Sequence, residues 1–169
     1  DYLFDGILPA DPDRMNITCQ MGVPQVVVPG ITDVIVLGPI EKVPPEMLQR
    51  KHIMHNSIHT HIRTSYEEMK KVGEFIAKKL RKSEGPSTIF VPTQGLSQLN
   101  RPDGPLYEPS SDRGFIEGVM AIFEEQGSGE SLLRTADMHI NCPSFAEMVV
   151  NELINHLNAR SETRKVRNA

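Results

Sequence analysis

Three short polar segments carry residue types suited to holding a small molecule, and each directly follows an apolar run of strand character. Pro29-Gly-Ile-Thr-Asp33 follows Gln25–Val28 (QVVV), Pro92-Thr-Gln-Gly95-Leu-Ser97 follows Thr88–Val91 (TIFV), and Asp137-Met-His139-Ile-Asn141 follows Leu132–Thr135 (LLRT). Gly30 and Gly95 allow backbone N–H groups to approach an anion, and Ser97 adds a hydroxyl donor. Asp33 offers a carboxylate to a ligand hydroxyl or a metal; a turn acid or helix cap is the competing account. Turn glycines and a turn-forming serine compete in the same way. Neither glycine loop matches GxxxxGK[ST] or GxGxxG, so no standard phosphate fingerprint is present.

The histidine group His52-Ile-Met-His55-Asn-Ser-Ile-His59-Thr-His61 raises the question of a metal. His55 and His59 share a face only in a helix, His59 and His61 only in a strand. No CxxC or HExxH accompanies them, and surface or hydrogen-bonded histidines are expected, with no metal. Arg63 stands just before a helix start, where guanidinium and helix terminus together suit an anion. A salt bridge to an acidic residue is the alternative. His139, Asn141 and Cys142 invite a nucleophile reading, with Cys142 beside Pro143 at a helix start. A packed or capping cysteine competes, and Ser97 lacks a GxSxG elbow, so no catalytic residue is assigned.

The elements that must position these residues are read from periodicity. Besides the three strands, Asp33–Leu37 (DVIVL) and His52–His55 have strand or loop-edge character, and Pro44 and Pro45 open a short helix to Arg50. Ser65-Tyr-Glu-Glu68 is a capping box, and Met69, Val72, Phe75, Ile76 and Leu80 form the inner face of the helix that follows. Its lysines lie on a wet face. Asp112 is a candidate cap for a helix to about Glu125, with Phe115, Val119 and Ile122 inward. Gly127-Ser-Gly129 breaks the chain. A last helix starts near Pro143 with Phe145, Val149, Leu153 and Leu157 on one stripe. The alternation predicts an α/β fold, a Rossmann-like three-layer domain with a mainly parallel sheet. Parallel strands end on one edge, so the three polar loops are expected to gather there, where ligands bind in open α/β folds.

With 169 residues, the chain has enough length for one domain with a substantial core. A formal charge of −4 gives no broad footprint for nucleic acid, and no apolar run reaches membrane length. Two cysteines are too few for a disulfide framework, so a cytoplasmic setting is expected. The chain opens at Asp1 in the middle of a pattern, and is expected to be a piece of a longer protein. Residues 159–169 read as a basic polar tail.

GVPQVVVPGITD, HNSIHTHIRTS, GPSTIFVPTQGLSQLNRPDGPLYEP and HINCPSFAE resemble successive signatures of the tomato mosaic virus resistance protein family, also described as having a virus-inhibitor-like ATP-binding domain. The resemblance runs from about Gly6 to Leu157. It implies that residues 1–158 are the carboxyl-terminal of two Rossmann-like domains, with the amino-terminal domain absent, and that the protein forms homodimers or larger assemblies. It also implies ATP or another nucleotide as a candidate cofactor. In the plant member the domain binds a viral replication protein and blocks RNA replication. Gly30 and Asp33 match the PGxxD element of the family; His55, Asn56, Thr60, Arg63 and Thr64 match the HN…T..RT element. Gly95, Ser97, Pro105, Tyr107 and Pro109 match the glycine-serine loop, and His139, Asn141, Pro143 and Phe145 the last motif. His59 and His61 stand where other residue types are expected; Asn100 and Cys142 replace aspartates, and Glu108 a third. Loss of those carboxylates removes candidate bases or metal ligands.

The leading expectation is a ligand-binding or regulatory domain. It takes a small anionic metabolite or nucleotide at the carboxyl edge, jointly with the amino-terminal domain, with no membrane and no direct nucleic-acid contact. Gly30, Gly95 and Ser97 supply donors, Arg63 the positive charge, and Asp33 and Asn56 the orienting hydrogen bonds, with His55, Thr64, His139 and Asn141 completing the ligand-binding set. Two alternatives stand beside it. One is an enzyme acting on a small carboxylate or phosphate compound, with His55 or His139 as acid–base and Asp33 as partner. The other is an oligomeric protein-interaction module.

Overall fold

The computed structural model describes the backbone of residues 1–126 and 131–167; the break expected at Gly127–Gly129 lies outside the described residues. Strands β1 (Gln25–Val27), β5 (Ser87–Pro92) and β6 (Ser131–Ala136) form a parallel sheet in the order β1-β5-β6. Gln25 stands opposite Ser87, and Ser87 opposite Ser131. As the central strand, β5 is buried along its whole length, as expected when helices cover both faces. Its alternating side chains divide the core. Ile89 and Val91 face helices α3 (Tyr66–Leu80) and α4 (Pro109–Gln126), while Phe90 faces α5 (Pro143–Arg167). This is the three-layer α/β arrangement that the strand–helix alternation predicts.

Sequence periodicity locates α3 and α4 well because each buries one stripe. Ser65 caps α3: the Glu68 N–H donates to Ser65 Oγ (3.3 Å), and the Ser65 N–H donates to Glu68 Oε2 (2.7 Å). Met69 and Leu80 from α3 meet Phe115, Val119 and Ile122 from α4. The two helices cross very closely, since a Cβ on Gly73 would stand 2.2 Å from the Phe115 carbonyl and one on Gly118 2.1 Å from that of Lys70. α4 starts a turn before the expected Asp112 cap, because Asp112 is drawn into an ion pair instead.

Two features differ from the sequence reading. Besides the short helices α1 (Asn16–Gln20) and α2 (Pro45–Leu48), the latter the one opened by Pro44 and Pro45, there is a second sheet, which is antiparallel: β2 (Val34–Leu37), β4 (His59–Arg63) and β3 (His52–Asn56), in the order β2-β4-β3. Val34 pairs with Arg63, so the hairpin β3–β4 is anchored directly beside the end of the first polar loop. On α5, Phe145 is buried but Leu157 is half exposed; the buried positions in that part of the helix are Glu152 and His156. α5 runs to Arg167.

Candidate functional site

The loops that follow the three parallel strands are sewn together by backbone hydrogen bonds. The Ile31 N–H donates to the Leu96 carbonyl (3.1 Å), the Gln94 N–H to Met138 (3.0 Å), and the Ile140 N–H to Gly95 (3.1 Å). Gly95 has φ +123°, and a Cβ there would stand 1.7 Å from the Asn100 carbonyl and 2.8 Å from the His139 ring. Only glycine permits this approach. A cleft of about 460 Å³ opens among the three loops, lined by Gly30, Ile31 and Val34, by Leu96, Ser97, Gln98 and Leu99, by Ile140 and Asn141, and by His61 from β4. That volume is in the range of small-molecule sites. Gly30, Ile31 and Val34 also wall a second cavity, of about 300 Å³, against the amino-terminal segment and α3.

Beneath the cleft lies a buried polar network. Asp33 is fully enclosed; its Oδ2 accepts a hydrogen bond from Ser97 Oγ at 2.7 Å, and its Oδ1 has no partner. Burial pushes the Asp33 carboxyl above its ordinary range, against the opposing effects of the Ser97 hydrogen bond and the Arg63 charge. Ser97 Oγ also accepts the N–H groups of Leu99 and Asn100, each at 3.2 Å. Asn100 donates to Asp112 Oδ2 (2.8 Å), whose carboxyl is likewise raised by burial and held back by Arg63 and Asn100.

Arg63 is not the exposed cation that its place before a helix suggests. It is 2% exposed, and its guanidinium donates to the carbonyls of Asp33, Thr64 and Glu108 and to Asp112 Oδ1 (2.5 Å). With those acceptors inside the fold, the salt-bridge alternative describes the residue. Thr64 is spent in the same way, with its N–H on the Asp33 carbonyl and its hydroxyl on the Thr32 carbonyl. Asn56 closes the β3–β4 hairpin by accepting the N–H groups of Ile58 and His59 (2.9 Å each). His55 is exposed on that hairpin and stacks on His61, with ring centroids 4.6 Å apart. Burial, helped by His55 and His59, lowers the His61 pKa, and its buried Nδ1 has no partner.

His139 is a clasp. Its Nε2–H donates to the Ser97 carbonyl (2.9 Å), and its Nδ1 accepts the Asn141 N–H (3.1 Å). Because a carbonyl only accepts, this pairing places the ring proton on Nε2 and leaves neither nitrogen free for acid–base work. Asp33, Ser97 and His139 therefore adjoin without forming a nucleophile relay: the hydroxyl is given to Asp33, while the histidine holds the backbone. Cys142 packs with Phe90, Ala136 and Phe145 beneath α5. No group of three histidine, cysteine or acidic side chains among the described residues is arranged to hold a metal.

Of the ten residues nominated from sequence, Gly30, Ser97 and Asn141 line the cleft. Gly95, His139 and Asp33 support it, Arg63 and Thr64 lie in the buried network, and His55 and Asn56 sit on the neighbouring hairpin. Sequence reasoning missed the cleft wall of Ile31, Gln98 and Ile140, although Ile31 and Ile140 stand inside the polar loops it selected and Gln98 is the next residue after one of them. It also missed Ile31's backbone. At φ +58°, Ile31 is the only β-branched residue among the described residues in the left-handed region. Such a conformation costs of order 1–3 kcal/mol and clusters at functional sites.

These features define a class, the Rossmann-like three-layer α/β domain with a crevice at the carboxyl edge of its parallel strands. The chain belongs to the uncharacterised protein family UPF0261, whose C-terminal domain matches residues 1–157. It is similar to a UPF0261 protein of Clostridium tetani, with 31% identity over 155 residues that make up 92% of this chain and 38% of that protein. A UPF0261 protein of Rhizobium meliloti is 31% identical over 89% of this chain and 37% of its own length. The ToMV resistance protein Tm-1(GCR237) of Solanum lycopersicum is 29% identical over 91% of this chain and 20% of its own length. The chain thus spans between a fifth and two fifths of these relatives. No helix among the described residues is long and apolar enough to cross a membrane.

Proposed function

We propose that the chain is a ligand-binding or regulatory domain whose cleft takes a small anionic metabolite or nucleotide, jointly with an amino-terminal domain of the same protein. The observation that carries this reading is the convergence of the three post-strand loops on one cleft, with Ser97 at its wall tied to the fully buried Asp33. Asp33, for which the sequence leaves ligand contact and turn acid both open, is fully buried and accepts the Ser97 hydroxyl, so it supports that wall residue from behind. An enzyme with His139 as acid–base is less well supported, because both ring nitrogens are engaged. The test is calorimetric titration of the full-length protein, amino-terminal domain included, with citrate, ribose 5-phosphate and adenosine monophosphate. Saturable binding of at least one, lost in Asn141→Trp at the exposed rim, is expected. Absence of heat with all three, or binding indifferent to the tryptophan, overturns the reading.

A second reading, self-association, has its own observation. Val150, Ile154 and Leu157 are exposed on α5 at steps of four and three residues, which places them on one helix face. Sedimentation tests it: a concentration-dependent dimer that Ile154→Glu dissociates supports it, and a monomer at high concentration removes it.

A further inference from the structure

We infer that Ile31 is a specificity-determining residue of the cleft, and that the part of the ligand lodged there is an uncharged heteroaromatic ring whose anionic group points out of it. This rests on the ligand-binding reading above and adds what the cleft itself selects.

Charge comes first. None of the ten residues lining the cleft is an aspartate, glutamate, lysine or arginine, and burial, with His55 and His59, lowers the pKa of its one histidine, His61. The nearest buried cation, Arg63, has its charge engaged by Asp112. An anionic group placed inside would be desolvated with no counter-charge, which is strongly unfavourable. The walls are instead apolar: Ile31, Val34, Leu96, Leu99 and Ile140. Among them stand Ser97, Gln98, Asn141 and the unpartnered Nδ1 of His61, which offer both donors and acceptors. Apolar walls with a hydrogen-bonding edge match a flat nitrogen heterocycle better than an aliphatic chain or a bare anion.

Ile31 then explains itself. Loop closure, with its N–H on the Leu96 carbonyl, sets the left-handed backbone of Ile31, but the residue is 64% exposed, so core packing does not account for an isoleucine at that position. Glycine or asparagine would occupy that backbone with less strain. An apolar, β-branched side chain kept at the cleft wall in a costly conformation is explained by what it would touch when the cleft is filled: one face of the ring.

The experiment compares adenosine monophosphate with ribose 5-phosphate, which share sugar and phosphate and differ by the ring, on the full-length protein and on its Ile31→Gly and Ile31→Asn variants. The parent is expected to bind adenosine monophosphate at least about tenfold more tightly than ribose 5-phosphate, the scale of burying one apolar side chain against a ligand. Both variants are expected to lose most of that preference while melting no lower than the parent. Equal binding of the two compounds overturns the ring assignment and leaves the anion-binding reading standing. A preference unchanged in both variants overturns the role of Ile31. Failure of the parent to bind either compound overturns this inference, and citrate binding then decides whether the broader reading survives.

Discussion

Ser97 Oγ donates to Asp33 Oδ2 at 2.7 Å, a fully buried bond between residues 64 positions apart that ties the loop after β5 to the loop after β1. The cleft is built on that tie. Its wall residue Ser97 is oriented by a carboxyl it shares with no solvent, and the same hydroxyl accepts two N–H groups of its own turn.

Asp33 gives a pH signature. Burial raises its folded-state pKa above the ordinary 3.8, so between that value and the raised one the folded chain holds a proton that the unfolded chain has lost. Its contribution is therefore favourable at low pH and declines as pH rises through that window. Asp33→Asn, which keeps an acceptor for Ser97, is expected to gain stability relative to the parent as pH rises above about 4. Urea unfolding from pH 3.5 to 7 checks it; a stability difference independent of pH is the contrary result.

Arg63→Lys should be severe despite conserving charge. An ammonium cannot span three carbonyls and the Asp112 carboxylate that the planar guanidinium reaches. A loss of about 3–5 kcal/mol is expected from the broken buried pair. Chemical denaturation measures it, and a loss below 1 kcal/mol would place Arg63 with ordinary surface cations.

Gly95→Ala forces a Cβ into the Asn100 carbonyl at a backbone angle that alanine avoids. Loop distortion with a loss of at least about 2 kcal/mol is expected, together with exchange broadening of the Ile140 amide, whose acceptor is the Gly95 carbonyl. Unfolding curves and amide spectra decide; an unperturbed Ile140 resonance contradicts the prediction.

Under α5, the Thr88 hydroxyl donates to Glu152 (2.8 Å) and accepts from His156 Nε2 (2.9 Å), while Arg134 donates to the same carboxylate oxygen (2.8 Å). Burial acts to raise the Glu152 pKa, but the Thr88 and Arg134 hydrogen bonds outweigh it and hold it below the ordinary 4.5. That stabilisation is present above about 4.5 and is lost as pH falls through the lowered value. Thr88→Val is expected to cost about 1–3 kcal/mol at neutral pH by leaving two buried groups short of a partner. It should also flatten the acid limb of the stability curve. An acid limb identical to the parent's would sink the assignment.

Much of this was written in local sequence. Met69 through Leu80 repeat at helical steps because burial of one face leaves a period in the chain, Ser65 and Glu68 cap each other, and the runs at Val26, Ile89 and Leu133 read as strands from their short continuous apolar stretches. From three parallel strands it also followed that Gly30, Gly95 and His139 gather at one edge, since parallel strands share a direction.

What local sequence does not contain is the partner of a polar side chain. Arg63 meets Asp112 across 49 positions and Thr88 meets His156 across 68, so nothing near either residue marks the difference between a surface charge and a buried one. The antiparallel sheet and the positive φ of Ile31 are of the same kind. Each is decided by long-range pairing and loop closure, which outweigh the propensity of a few residues; hence the chain alone names most of its elements and the inner faces of α3 and α4, while only the assembled fold assigns its charges and its cleft.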